Sequence, residues 1–322
     1  MSAAWGANAA PAGALASDFE RAFLAGLSAN PRSVPPKYFY DAAGSALFDR
    51  ICDLPEYYVT RTEIGILRER AADIADCIGP AAQIIEFGAG SVLKIRLLLD
   101  ALHAPAGFVP IDISGTHLQA AARTLRRDYP GLAITPLVGD FTAPLVLPPL
   151  PPGARRVGFF PGSSIGNFTP CEAQRFLRQA AHMLRGGGLL IGADLVKDPA
   201  VLHAAYNDAQ GVTAAFNRNL LERARRELNA SVDVSAFDHY AFYNVPQQRV
   251  EMHLVSRRRQ RISVAGQHFE FGPGSAIHTE NSCKYTLDGF RALAVAAGFK
   301  PGPVWCDERQ WFSLQWLQGA ED

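Results

Sequence analysis

Apolar residues recur at helical spacing at Phe19, Phe23, Leu24 and Leu27, which predicts a helix that the segment Pro31 to Pro36 ends. A mixed aromatic stretch, Lys37-Tyr38-Phe39-Tyr40-Asp41, follows. The helical period returns from Thr60 to Ile78, with Thr62 and Glu63 near its start, and predicts one long helix leading into the core. From Gln83 the pattern changes to short apolar runs ending in Gly or Asp and separated by helical stretches: Gln83 to Phe87, Gly107 to Ile111, Ala133 to Val138, Val157 to Phe160, and Leu189 to Ala193. Strand and helix in alternation predict an α/β fold whose parallel sheet is joined by right-handed crossovers. The helix before the fifth run stops at Leu184-Arg185-Gly186-Gly187-Gly188, where glycine permits the positive backbone angle of a helix end.

After Lys197 the rhythm breaks. The chain reads as helical to about Ala230, as strands over Tyr240 to Val255 and Gln260 to Phe271, and as a helix over Leu287 to Ala297. The aromatic-rich stretch Val304 to Leu317 predicts a closing strand pair. An insertion within an α/β unit accounts for this order. The expected division is a sheet domain of residues 30–196 and 286–322, a lobe of residues 14–29 and 197–285, and a flexible N-terminus over residues 1–13. Ligands of open α/β sheets bind beyond the carboxyl ends of the strands, so such a lobe would cover the site.

Composition narrows the partners. With 48% hydrophobic and 19% charged residues the chain has ample material for a packed core. Thirty-one basic and 31 acidic side chains cancel, leaving no field to hold a polyanion, so nucleic acid is not expected. Five scattered cysteines without a close ligand spacing fit a reduced, cytoplasmic setting. No apolar run reaches the ~18 residues of a membrane span. The eight histidines show no H-E-x-x-H or clustered spacing, so no metal is expected.

The sharpest chemical signal is Ile84-Ile85-Glu86-Phe87-Gly88-Ala89-Gly90-Ser91, an apolar strand running into a glycine turn at the start of a helix. Glycine there lets the backbone approach a bound molecule closely. Asp112, at the end of the next strand, can bind both hydroxyls of a ribose. Taken alone, this pattern fits a nicotinamide or an adenosyl cofactor. Leu93 occupies the third glycine position of the dinucleotide fingerprint, with Lys94 beside it, and S-adenosylmethionine has no pyrophosphate to demand that tight turn. Gly139-Asp140-Phe141 then follows the third run, offering a carboxylate to an adenine amino group and a ring to its face. The balance favours the sulfonium donor.

Five segments together make a more specific pattern: Pro36-Lys37-Tyr38-Phe39-Tyr40-Asp41, Leu54-Pro55-Glu56-Tyr57-Tyr58, Glu86-Phe87-Gly88-Ala89-Gly90, Phe160-Pro161-Gly162-Ser163-Ser164-Ile165-Gly166-Asn167, and Thr279-Glu280-Asn281-Ser282-Cys283-Lys284-Tyr285. From about Pro31 onward the chain resembles the L-histidine Nα-methyltransferases of ergothioneine biosynthesis. The resemblance implies a class I (Rossmann-like) methyltransferase sheet with an inserted α+β substrate-binding lobe. It also implies a monomer that forms N,N,N-trimethylhistidine, hercynine, from free L-histidine. It assigns Gly88, Lys94, Asp112, Asp140 and Phe141 to S-adenosyl-L-methionine, and Tyr58, Asn167, Tyr206, Glu280 and Ser282 to histidine, with Tyr40, Phe216 and Met252 close by and Asn281 between the two imidazole-reading positions.

The residue types agree with that assignment. Neutral imidazole has one N–H donor and one bare acceptor nitrogen, and a carboxylate and a hydroxyl two residues apart on a strand share a face and can meet both. Methyl transfer from a sulfonium is an in-line displacement that depends mainly on positioning. Asn167 and the tyrosine hydroxyls suit the amine and carboxylate, and Tyr40 is a further candidate to receive a proton, directly or through water. Aromatic faces at Tyr40, Tyr58 and Phe216 suit a growing quaternary cation.

Overall fold

A computed structural model describes residues 12–90 and 92–321 of the chain. Of the segment 1–13 expected to be flexible, residues 1–11 lie outside the described residues, as does Ser91 of the glycine turn, while Ala12 and Gly13 open a helix instead. Helices α1 (Ala12–Ser28), α2 (Ala42–Cys52), α3 (Tyr58–Glu69) and α4 (Ala71–Ile78) come first. Phe19, Phe23 and Leu27 fall on one face of α1 and are wholly buried, as their spacing demands. The helix expected over Thr60 to Ile78 is two, because Arg70 leaves helical geometry (φ −114°, ψ 14°). Periodicity reports which face is buried and does not report whether the axis is continuous.

The central sheet is built from β1 (Ala82–Phe87), β2 (Gly107–Asp112), β3 (Leu137–Val138), β4 (Arg155–Phe160) and β5 (Gly188–Asp194), all parallel. Helices α5 (Val92–Ala101), α6 (Gly115–Asp128) and α7 (Pro170–Met183) connect them. Every residue of β1 and β5 is buried, so these strands read as unbroken apolar runs without alternation. The third strand is far shorter than the run Ala133 to Val138 suggested. Pro136 has no N–H to give a ladder, and Ile134 is left with a single bridge to Phe108. Helix α7 begins at a capping box: the Thr169 hydroxyl accepts from the Glu172 N–H, and the Glu172 carboxylate accepts from the Thr169 N–H at 2.9 Å.

Helices α8 (Pro199–Tyr206) and α9 (Val212–Leu228) open the insertion. Strands β6 (Phe237–Asn244), β7 (Arg249–Ser256), β8 (Gln260–Val264), β9 (Gln267–Phe271) and β10 (Ala276–Cys283) follow, so each of the two strand regions read from the sequence is a hairpin. The turn of the second holds Ala265 and Gly266, both at positive φ. β6, β7 and β10 form an antiparallel sheet against which α9 packs, and α2 lies on α9. Helix α10 (Leu287–Ala296) and the antiparallel strands β11 (Lys300–Cys306) and β12 (Phe312–Gln318) complete the main sheet, whose order is β3-β2-β1-β4-β5-β12-β11. Among the described residues no helix is long and apolar enough to cross a membrane.

Candidate active site

Strand order reverses between β1 and β4, and the crevice beyond their carboxyl ends is where such sheets take a ligand. A cavity of about 650 Å³ lies there, lined by Gly88, Gly90, Lys94, Asp112, Asp140 and Phe141 among others. Gly88 sits at φ +76°, and the N–H groups of Gly88 and Ala89 both donate to the Ile111 carbonyl, at 2.9 and 3.0 Å. Gly90 faces open space: among the described residues outside its chain neighbours, nothing lies within 4 Å of where a Cβ would stand. A side chain at either glycine would therefore alter the turn or fill the cleft.

Asp112 Oδ1 accepts from the Ser114 N–H at 2.7 Å, and burial raises the carboxyl above its ordinary range. At Asp140 burial pushes the same way, but Thr142 and the Lys37 ammonium at 3.1 Å outweigh it and hold the carboxyl below its usual value. Phe141 belongs to a group of rings with Phe87, Phe160, Phe168 and Phe176, its centroid 5.4 Å from Phe160. Lys94 is paired at 2.5 Å with the fully buried Glu63, whose two oxygens each accept from the Gly162 N–H at 2.9 Å. Its charge thus holds the loop after β4 against the cleft. A cradle with bare glycine backbone, two carboxylates and an aromatic wall fits an uncharged heterocycle with hydroxyls and an amino group.

Behind this cleft is a smaller chamber of about 60 Å³, lined by Tyr40, Phe48, Tyr57, Asn167, Tyr206, Phe216, Met252, Glu280 and Ser282. Tyr40, Phe48, Tyr57 and Asn167 also line the outer cleft, so the two spaces meet at these side chains. Glu280 and Ser282 alternate along β10 and share its inward face, as a period of two requires. Glu280 is 8% exposed and takes no hydrogen bond from any described residue. Burial pushes its carboxyl up to about 7, tempered by Lys284. Asn167, on the loop after β4, likewise keeps its amide free of protein partners among the described residues, and aromatic rings surround the space, with Tyr40 5.7 Å and Phe48 6.0 Å from Phe216.

The rear wall rests on a buried ionic network. Lys284 Nζ donates to Asp194 Oδ2 at 2.6 Å, to Ser282 Oγ at 2.8 Å and to the Tyr206 hydroxyl at 3.1 Å. The Tyr206 hydroxyl donates to Ser282 Oγ at 2.7 Å. Asp194 also accepts from Lys197 and from the Tyr58 hydroxyl, at 2.5 and 2.7 Å. Burial alone would raise the Asp194 carboxyl, but Lys284 and Lys197 hold it below its ordinary value; burial pulls Lys197 down to about 8.

Two expectations need correction. Tyr58 lines neither space: its hydroxyl is committed to Asp194 and its ring packs on Trp311, while its neighbour Tyr57, just before α3 begins, faces both spaces. Asn281 points away from the chamber, with its amide oxygen 3.0 Å from His278. Burial, with the Glu280 charge, pushes the Tyr40 phenol well above its ordinary value, so it stands in the chamber as a protonated hydroxyl and a ring. Sequence reasoning missed Phe48, Tyr57 and the role of Lys284. The doublet Tyr57-Tyr58 was a signal for the second, but only the phase of α3 shows which member faces the cleft. Away from both spaces, Glu251, His253 and His278 gather within 4.8 Å across β7 and β10, a cluster invisible to spacing. Its members are already engaged, Glu251 by Arg249 and His278 by Ser33 and Asn281.

Residues 19–319 match the family described as histidine-specific methyltransferase, SAM-dependent. Histidine N-alpha-methyltransferase of Mycolicibacterium smegmatis is 43% identical over 96% of this chain and 97% of its own. The protein of the same name from Mycobacterium tuberculosis is 44% identical over 91% of this chain and 92% of its own. Ergothioneine biosynthesis protein 1 of Neurospora crassa is 30% identical over 85% of this chain and 32% of its own.

Proposed function

The chain belongs to the histidine-specific, SAM-dependent methyltransferase family, and from this premise we propose that it methylates the α-amino group of free L-histidine three times, giving hercynine, the first step toward ergothioneine. One observation carries the reading: a buried carboxylate with no hydrogen-bond partner among the described residues, Glu280, stands beside the Ser282 hydroxyl in a chamber that opens directly onto the glycine-turn cleft. A buried charge without a partner is costly, so the chamber is made for a ligand that donates to it. An imidazole N–H does so while its other nitrogen meets Ser282.

Gly88, Asp112, Asp140 and Phe141 would hold S-adenosylmethionine, with Lys94 fixing the Gly162 loop beside it. That molecule, when bound, supplies an electrophilic methyl group on a sulfonium. The chain's part is to aim the amine. In this reading Asn167 and Tyr57 take its polar groups, and Tyr40, Phe48 and Phe216 place aromatic faces where positive charge accumulates. Each transfer leaves an ammonium that must lose a proton before the next, and the outer cleft gives that proton a path to water. Phe216 and Met252 bound the ring pocket. The free cysteines support a cytoplasmic setting, and one chain lines both spaces, which supports action as a monomer.

Mass spectrometry of the protein incubated with S-adenosylmethionine and L-histidine, L-tryptophan or L-arginine singly tests this reading. Three methyl groups on histidine alone are expected. Methylation of another amino acid with none on histidine would overturn the substrate while leaving the chemistry.

A further inference from the structure

An ammonium has three protons and no lone pair, so every hydrogen bond it makes runs outward. Lys284 has three acceptors within reach, Asp194, Ser282 and Tyr206, and its three donors are therefore all spent. Ser282 Oγ accepts from Lys284 at 2.8 Å and from the Tyr206 hydroxyl at 2.7 Å. A hydroxyl oxygen has two lone pairs and one proton. With both pairs taken inside the wall, only the proton is left, and the free side of Ser282 is the chamber.

We propose that Lys284 is a positioning residue that fixes Ser282 as a hydrogen-bond donor toward the ligand, and so selects a ring presenting a bare acceptor nitrogen there. The inference rests on the proposed histidine substrate and adds the direction of the bond. A free serine hydroxyl donates or accepts by rotating and reads little; one with both lone pairs blocked reads polarity. Opposite it Glu280 is an acceptor when ionised. The pair therefore demands acceptor and donor on one ring in a fixed sense, which a single neutral imidazole tautomer satisfies. A ring with an N–H but no bare nitrogen leaves the serine proton unmet, a loss that such sites convert into strong rejection. Asp194 makes the device stable, because its carboxylate compensates the buried ammonium.

The test is a double-mutant cycle on the full chain with S-adenosylmethionine present. Lys284→Met should raise the KM for histidine about tenfold or more, with kcat at saturation and cofactor affinity changed by less than about threefold. In a Ser282→Ala background the same change should add nothing further, since the lysine acts through that hydroxyl. Lys284→Met alone leaves Asp194 paired with Lys197 at 2.5 Å, and combined with Asp194→Asn it removes the Lys284–Asp194 pair; both forms should show the same dependence on Ser282. A full Lys284 effect persisting without Ser282, or an unchanged histidine KM, overturns the proposal.

A third arm needs no variant: β-pyrrolylalanines, which carry a ring N–H and no acceptor nitrogen, should bind the wild-type chain at least about 100-fold more weakly than histidine. Equal binding overturns the proposal whether or not the lysine variants fold. Absence of histidine turnover by the wild-type chain would instead defeat the function proposed above.

Discussion

Tyr57 and Tyr58 are adjacent in the chain and serve opposite sides of one wall. Tyr57 faces the junction of the two spaces, and the Tyr58 hydroxyl lies 2.7 Å from Asp194 in the network behind it. Removing the two hydroxyls should have separable effects. Tyr58→Phe is expected to lower stability by about 1.5–3 kcal/mol, the range for a bond to a charged group, while the histidine KM shifts by less than about threefold. Tyr57→Phe should leave the melting transition nearly in place and weaken histidine. Denaturant melts beside steady-state kinetics decide it, and the opposite pattern would reverse the assignment.

Glu280 gives the free protein a pH dependence of definite sign. Its folded carboxyl titrates near 7 against an ordinary 4.5, so between those values the folded state keeps a proton that the unfolded chain has released. Stability from this group is therefore complete below the ordinary value and falls as pH rises through about 7, by at most about 3 kcal/mol. Glu280→Gln should remove that decline. Urea melts at about pH 4.5 and about pH 8 would show it as a difference in slope between the two proteins; parallel slopes would mean the carboxyl is not desolvated.

The two glycines of the turn should fail differently. Gly88 is at φ +76°, with only the Phe141 ring edge 3.6 Å from where a methyl group would stand, so Gly88→Ala has room but the wrong backbone and should cost about 1–2 kcal/mol. Gly90 is outside the positive-φ region and has open space at its Cβ position among the described residues, so Gly90→Ala should stay within about 0.5 kcal/mol of the parent while weakening S-adenosylmethionine binding. Calorimetric titration of each variant, alongside its melt, makes the comparison.

Asp112→Ala and Glu280→Ala should divide the ligands. The first is expected to weaken the methyl donor about tenfold or more with a smaller effect on histidine, and the second to do the reverse. Equal losses of both ligands in each variant would mean that the spaces are wrongly allotted.

The parallel strands were legible because a strand buried on both faces leaves an unbroken apolar run, and the glycine turn because its backbone needs a residue without Cβ. Glu280 and Ser282 were legible as a pair, since alternation along β10 is a local property. Lys284 was not. Two residues on, it differs from a solvated lysine only through Asp194 and Tyr206, separated from it by 90 and 78 positions. The split at Arg70 and the stunted third strand mark where a local period ran on past the point at which the backbone changed course.

Asp194 is the last residue of β5, and through Lys284 it carries the hydroxyls of Tyr206 and Ser282. The Asp194–Lys284 pair is thus a rivet between two sheets, the three-stranded one that carries Ser282 and the central one whose first strand runs into Gly88 two strands from β5. In the proposed reading, the separation of donor and acceptor would follow from how that rivet seats one sheet on the other.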